Sequence, residues 1–69
     1  MKASELRQLT MKELQARLDE AKEAYFNLRF QETSGQLEDF NRLRIAKRDI
    51  ARILTVMRER QLEAKNDQQ

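Results

Sequence analysis

An apolar spacing of three and four residues runs twice along the chain, and the only glycine lies between the two runs. This spacing places apolar side chains on one narrow stripe of an α-helix, here called the seam, which is typical of a helix that packs against another helix. The first seam consists of Met11, Leu14, Leu18, Ala21, Tyr25 and Leu28. The second consists of Leu43, Ala46, Ile50, Ile53 and Met57, with Leu54 beside it. The sequence therefore predicts two long helices that meet along their seams.

Local signals define the ends of the first long helix. Thr10 and Glu13 have the spacing of a capping box, and Leu9 and Leu14 have that of a hydrophobic staple across it. Gly35 can adopt the left-handed conformation that ends a helix, because it has no Cβ atom. We therefore expect this helix to span residues 11–33 and the turn to span residues 34–38.

The second helix is expected to span residues 39–61. Asp39 suits its N-cap, and QLEAKNDQQ loses the apolar period, which predicts a polar tail over residues 62–69. A short turn between helices of similar length favours an antiparallel pair. The pattern also allows a short helix within residues 3–9, where Leu6 and Leu9 would cap one end of the hairpin. The predicted fold is all-α, a single coiled-coil-like helical hairpin over residues 1–69.

Composition excludes several kinds of function. The chain has 69 residues and no Cys or His, which leaves no disulfide, no thiolate or imidazole metal site and no common general base. Asp19, Glu20 and Glu23 form a carboxylate cluster that is better explained as a solvated helix face. We find no catalytic constellation, no cofactor site and no small-molecule site, so an enzyme is not expected.

No apolar run is long enough to span a membrane, and MKASELRQ lacks the apolar centre of a signal peptide. The expected location is the cytoplasm. A chain this short buries little surface, so self-association or docking onto a larger partner is expected to support it.

Basic residues are concentrated in the second half of the chain. Residues 40–60 hold seven basic and two acidic side chains, a net charge of +5, whereas residues 11–32 hold four basic and five acidic, a net −1. Arg44, Arg48 and Arg52 recur every four residues, a spacing at which like charges repel each other in an isolated helix. A solvated face is one explanation; a surface that meets phosphates is the other. The residues predicted to bind RNA are Arg44, Lys47, Arg48, Arg52, Thr55, Arg58 and Arg29.

The segment YFNLRFQ, residues 25–31, places Phe26 and Phe30 on one face of the first helix, away from its seam. A two-helix hairpin has nothing to cover them. The N-terminal segment, a second copy of the chain, or a protein or nucleic-acid partner are the candidate covers. The residues predicted to form a partner-docking patch are Phe26, Phe30, Ile45 and Val56.

Three segments in this order resemble the bacterial large-subunit ribosomal protein number twenty-nine family: MKASELRQLT, FNLRFQETSGQLED and RDIARILTVMRER. The resemblance covers roughly residues 1–60. The positions that match the family motif are Phe26, Asn27, Leu28, Arg29, Gln31, Gly35, Gln36, Leu37, Arg48, Ala51 and Arg52. One departure is Asp39-Phe40, where many members carry Asn-Pro.

The resemblance implies a helical hairpin that binds large-subunit ribosomal RNA on the ribosome surface, near the polypeptide exit tunnel. It also implies a neighbour, ribosomal protein number twenty-three. The predicted function is therefore that of a structural constituent of the ribosome. The alternative from the residues alone is a homodimeric helical bundle that acts as an adaptor or as a regulatory RNA-binding protein.

Overall fold

The structure is a computed structural model and describes residues 2–67. It contains three helices: α1 (Ala3–Leu6), α2 (Met11–Thr33) and α3 (Asn41–Asp67). The two long helices pack against each other as an antiparallel hairpin, and α1 packs on α3. No strand occurs among the described residues. The predicted all-α hairpin with a short N-terminal helix is therefore confirmed, and it forms a rod with extents of 52 × 17 × 16 Å.

The capping box at the start of α2 is confirmed. The backbone N–H of Glu13 donates to the Thr10 hydroxyl oxygen at 3.1 Å, and the Thr10 N–H donates to the Glu13 carboxylate at 3.0 Å. Two backbone donors that the helix itself leaves unpaired are satisfied in this way. Leu9 packs against the cluster that contains Leu14, as a staple requires.

Gly35 ends α2 in the predicted manner, with a φ of +76°. Its N–H donates to the carbonyl of Glu32 at 3.2 Å, and the N–H of Gln36 donates to the carbonyl of Gln31 at 2.8 Å. This pair of bonds is a Schellman motif, which requires a left-handed residue just beyond the helix. The chain turns here because only glycine takes that conformation without cost.

The start of α3 lies later than predicted. The Asp39 carboxylate accepts from the N–H of Asn41 at 2.9 Å, so Asp39 does cap the helix. The next backbone bond, from Arg42 to the Asp39 carbonyl at 3.2 Å, joins residues only three apart. The first turn is therefore tighter than an α-turn, and regular helix begins at Asn41 rather than at residue 39.

The predicted polar tail is wrong over residues 62–67, because α3 continues to Asp67. Residues 68 and 69 of that prediction lie outside the described residues. Without the apolar period this segment has no seam to pack against α2. It still forms helix, because it contains good helix formers: Gln61, Leu62, Glu63 and Ala64. Extending an existing helix is far less costly than nucleating one, so α3 projects beyond the hairpin core.

The core lies at the end of the rod where α1 joins the hairpin. Its buried members are Leu6, Leu14, Leu18, Ile53 and Val56. Farther towards the turn, the seam residues Tyr25, Leu28, Leu43 and Ala46 are only half-buried. Two packed helices leave both flanks of their seams open to water. The third helix, α1, covers one flank, and it does so only at its own end of the rod.

Candidate nucleic-acid interface

The arginine stripe is the row of Arg44, Arg48 and Arg52 on α3, with Thr55 in line and Lys47 and Arg58 beside it. All six side chains are exposed. Ile53 and Val56 turn one side of α3 into the core, and a helix advances about 100° per residue. The stripe therefore occupies the side of α3 that the hairpin does not use.

The charges of Arg44 and Arg48, in the arginine stripe, have no neutralising partner among the described side chains. Within the part of the chain whose side chains the structure describes, neither Arg44 nor Arg48 forms an ion pair. Two acidic residues form ion pairs away from Arg44 and Arg48: Glu59 with Arg7 at 3.2 Å and Glu32 with Arg29 at 3.1 Å. Because like charges four residues apart destabilise a helix, the stripe gains from any external anion that reaches it.

Thr55 differs from its basic neighbours in what it can offer. Its hydroxyl donates to the carbonyl of Ala51 at 2.8 Å, one turn earlier in α3. The hydroxyl proton is thus already used, and only the oxygen lone pairs remain. Thr55 can accept a hydrogen bond from a ribose 2′-hydroxyl but, in this conformation, cannot donate one to a phosphate.

Arg29 lies on α2, in surroundings unlike those of the stripe. Its guanidinium forms the ion pair with Glu32, and it lines a shallow hollow with Phe26, Phe30 and Thr33. Arg29 is exposed and Glu32 is half-buried, and an ion pair this accessible to water contributes little energy. Arg29 therefore lies beside Phe26 and Phe30 and not in the arginine stripe. Its role in RNA binding stays a prediction.

Phe26 and Phe30 are 70% and 63% exposed. α1 does not cover them, because its Leu6 is packed with Val56 at the core end of the rod. The N-terminal segment is thereby eliminated as a cover. A second copy of the chain and another macromolecule remain the candidate covers for Phe26 and Phe30.

The predicted docking patch is divided by the structure. Phe26 and Phe30 line the hollow on α2, whereas Ile45, which is 58% exposed, lines a separate groove between α2 and α3 with Ala24 and Leu28. Val56 was wrongly assigned to this patch. It is 1% exposed, because Leu6 of α1 packs over the flank of α3 that the seam leaves open.

Two polar contacts hold α1 against α3. The Arg7 guanidinium binds the Glu59 carboxylate through Nε at 3.2 Å and Nη2 at 3.4 Å. The Arg60 guanidinium donates to the backbone carbonyl of Arg7. Sequence reasoning missed this attachment, although the basic and acidic residues at the far end of α3 were a signal for it.

The model of the ribosomal L29 protein family matches residues 4–60 of this chain. The chain belongs to the ribosomal L29 protein family. Among its relatives is "Large ribosomal subunit protein uL29" of Streptomyces coelicolor, which is 62% identical over 88% of this chain and 82% of its own length. Proteins with the same name from Natranaerobius thermophilus and Corynebacterium diphtheriae are 55% and 63% identical. These alignments cover 90% and 87% of this chain, and 95% and 79% of the relatives.

Membership of the ribosomal L29 family confirms the resemblance seen in the sequence, and the structure accounts for the departure at Asp39-Phe40. Asp39 still caps α3, so the helix start survives without the proline. Phe40 is 65% exposed and finds no cover within the described residues.

Other kinds of site find no support in this L29-family chain. Among the described residues, no group of acidic side chains, Asp19, Glu20 and Glu23 included, has the arrangement needed to hold a metal ion. None of the described helices combines the length and apolarity needed to cross a bilayer. The arginine stripe and the aromatic hollow are the surfaces that need explanation.

Proposed function

We propose that this chain is a structural constituent of the large ribosomal subunit, held to large-subunit ribosomal RNA by the arginine stripe. The observation that carries the proposal is a row of exposed guanidinium groups on α3, in which Arg44 and Arg48 form no ion pair among the described side chains, in a chain of the ribosomal L29 family. The family is a structural, non-enzymatic component of the ribosome, so the function is binding rather than catalysis. The place of action is the ribosome in the cytoplasm.

The binding mode follows from the geometry of α3. Residues four apart on a helix lie about 6 Å apart along its axis, so Arg44 and Arg48 present their charges in regular steps along a rod. A guanidinium donates through a planar fork that matches two phosphate oxygens. The stripe holds no Asn, Gln, Asp or Glu, the side chains that read adenine and cytosine edges, which supports recognition of RNA backbone and shape.

The aromatic hollow of Phe26 and Phe30 supports a second contact on the opposite helix. We infer that it docks against a neighbouring ribosomal protein near the polypeptide exit tunnel, with ribosomal protein number twenty-three as the partner. Two exposed rings beside an arginine have the composition of an interface centre, and rings of this size gain most from burial. Since the stripe and the hollow lie on different helices, both contacts can form at once.

Sedimentation with large subunits depleted of this protein tests the proposal. The Arg44→Glu/Arg48→Glu variant is expected to stay at the top of the gradient, because reversed charges repel phosphate. Lys12 and Lys22 are exposed basic residues on α2, so Lys12→Glu/Lys22→Glu is the matched control and should sediment with subunits as the wild type does.

Two outcomes would reject the proposal. One is equal sedimentation of the stripe variant and the wild type. The other is a tight homodimer of the purified chain with no affinity for subunits, which would instead support the adaptor function. For the second contact, a photo-crosslinker placed at Phe26 should join the chain to ribosomal protein number twenty-three; crosslinks to RNA alone would reject that partner.

A further inference from the structure

A groove between α1 and α3 adjoins the arginine stripe and belongs to neither element alone. Its cavity volume is about 240 Å³, and Ala3 of α1 and Arg7, the residue directly after α1, line one side. The α3 side is formed by Arg48, Ala51, Arg52, Thr55 and Val56. Ligand pockets for small molecules usually have volumes of about 300–1,000 Å³, so this groove is better matched to part of a larger chain.

Positively charged side chains flank the groove on both sides. Three arginines line it, Arg7 directly after α1 and Arg48 and Arg52 on α3, and among the described residues no acidic side chain lines it. Arg7 uses Nε and Nη2 on Glu59, which leaves N–H groups of its fork for another acceptor. The lining is otherwise mostly apolar, and Ala3, Ala51 and Val56 contribute carbon to it. An anion with an apolar body attached fits such a surface better than a bare phosphate.

We propose that this groove holds one unstacked nucleotide of ribosomal RNA. Its phosphate lies among Arg7, Arg48 and Arg52, and its ribose or base rests on Ala3 and Ala51. The proposal rests on the proposed function and deepens it, because it makes α1 part of the RNA interface. Unstacked nucleotides in loops and bulges are the parts of RNA that proteins can receive in a pocket, and a guanidinium plane can stack on a base.

The groove is already formed in the free chain. Leu6 anchors α1 in the core, and Arg60 holds the backbone of Arg7 through its carbonyl. The nucleotide therefore meets a surface that needs little reordering, which lowers the entropic cost of binding.

Filling the groove without changing its charge is the first test. Ala51 is exposed on α3, so Ala51→Leu projects into the groove and keeps every arginine. Ala16→Leu adds the same side chain at an exposed position of α2 and is the matched control. With large subunits depleted of this protein, Ala51→Leu should bind about tenfold more weakly, as for the loss of one base contact. Wild type and Ala16→Leu should alter the 2′-hydroxyl acylation of one nucleotide, and Ala51→Leu should not.

A second pair of variants separates RNA contact from attachment of α1. Arg7→Gln and Glu59→Gln break the same ion pair, but only Arg7→Gln removes the cation. If Arg7 contacts phosphate, Arg7→Gln weakens binding about tenfold and Glu59→Gln keeps or improves it. Circular dichroism of each variant establishes that the helices remain.

The outcomes distinguish the two proposals. Wild-type affinity and an unchanged acylation pattern for Ala51→Leu would overturn the groove proposal, as would equal losses for Arg7→Gln and Glu59→Gln. In either case the stripe would still be the RNA interface if Arg44→Gln weakens binding. A wild-type chain that fails to bind the depleted subunits would overturn both proposals.

Discussion

Leu6 of α1 and Val56 of α3 pack in one cluster and are only 2% and 1% exposed, although they lie at opposite ends of the sequence. The packing of α1 onto this cluster converts one end of a two-helix rod into a three-helix core. It explains why Leu14 and Ile53 are fully buried while Leu28 and Leu43, on the same seams, are not. It also brings α1 beside the arginine stripe, where the chain builds its nucleotide-sized groove.

Leu6→Ala is expected to destabilise the chain by about 2–4 kcal/mol, through lost burial and the cavity that remains. The free energy of unfolding of a chain this small is low, so the variant should unfold at a markedly lower urea concentration or temperature than the wild type. Helical circular dichroism across a urea series measures the change. Leu62→Ala removes the same atoms from a side chain that is 52% exposed and should have little effect. Equal midpoints for the two variants would show that α1 does not complete the core.

The capping box makes the start of α2 sensitive to acid. The pKa of Glu13 lies below its ordinary value of 4.5, first because the backbone N–H of Thr10 donates to the carboxylate, and then because of the Thr10 side chain. A lowered folded-state pKa adds stability that is present above the ordinary pKa and is lost as the pH falls through the folded-state pKa. Glu13→Gln should therefore reduce the pH dependence of unfolding between about pH 7 and about pH 3. Identical pH dependence of unfolding for the wild type and Glu13→Gln would contradict a stabilising role of the Glu13 carboxylate.

Gly35→Ala is expected to cost about 1–2 kcal/mol, because a residue with a Cβ is strained at a φ of +76°. A Cβ built at Gly35 meets no atom within 4 Å, so the cost comes from the backbone alone. Gly35→Asn should cost less, since asparagine tolerates the left-handed conformation better than alanine. Unfolding midpoints in the order glycine, asparagine, alanine would support this account; alanine equal to glycine would contradict it.

Local signals made the hairpin predictable from the sequence. The seams, the Thr10 capping box and the Gly35 stop each depend on residues within a few positions of one another, and the structure contains all three. The arginine stripe was equally accessible, because residues opposite a seam face outward in any hairpin. Its RNA-binding role stays a prediction, as does that of Arg29.

Features that depend on tertiary contact were not predictable in this way. Val56 looks exposed on a helical wheel because its cover, α1, is only four residues long and gives a weak sequence signal. The groove lined by Ala3 and Arg7 exists only because Leu6 docks where it does. The length of α3 was underestimated because good helix formers such as Gln61 and Ala64 extend a helix without any packing.

The salt dependence of binding tests the central claim, that the arginine stripe neutralises RNA phosphates. Affinity for large subunits depleted of this protein is measured between about 50 mM and about 200 mM salt for the wild type and Arg44→Gln/Arg48→Gln. Affinity falls as salt rises, and each lost phosphate contact should make the slope of log affinity against log salt shallower by about 1, so the variant should bind more weakly with a slope shallower by about 2. Lys12→Gln/Lys22→Gln should match the wild type. The same affinity and slope for the stripe variant and the wild type would contradict the account.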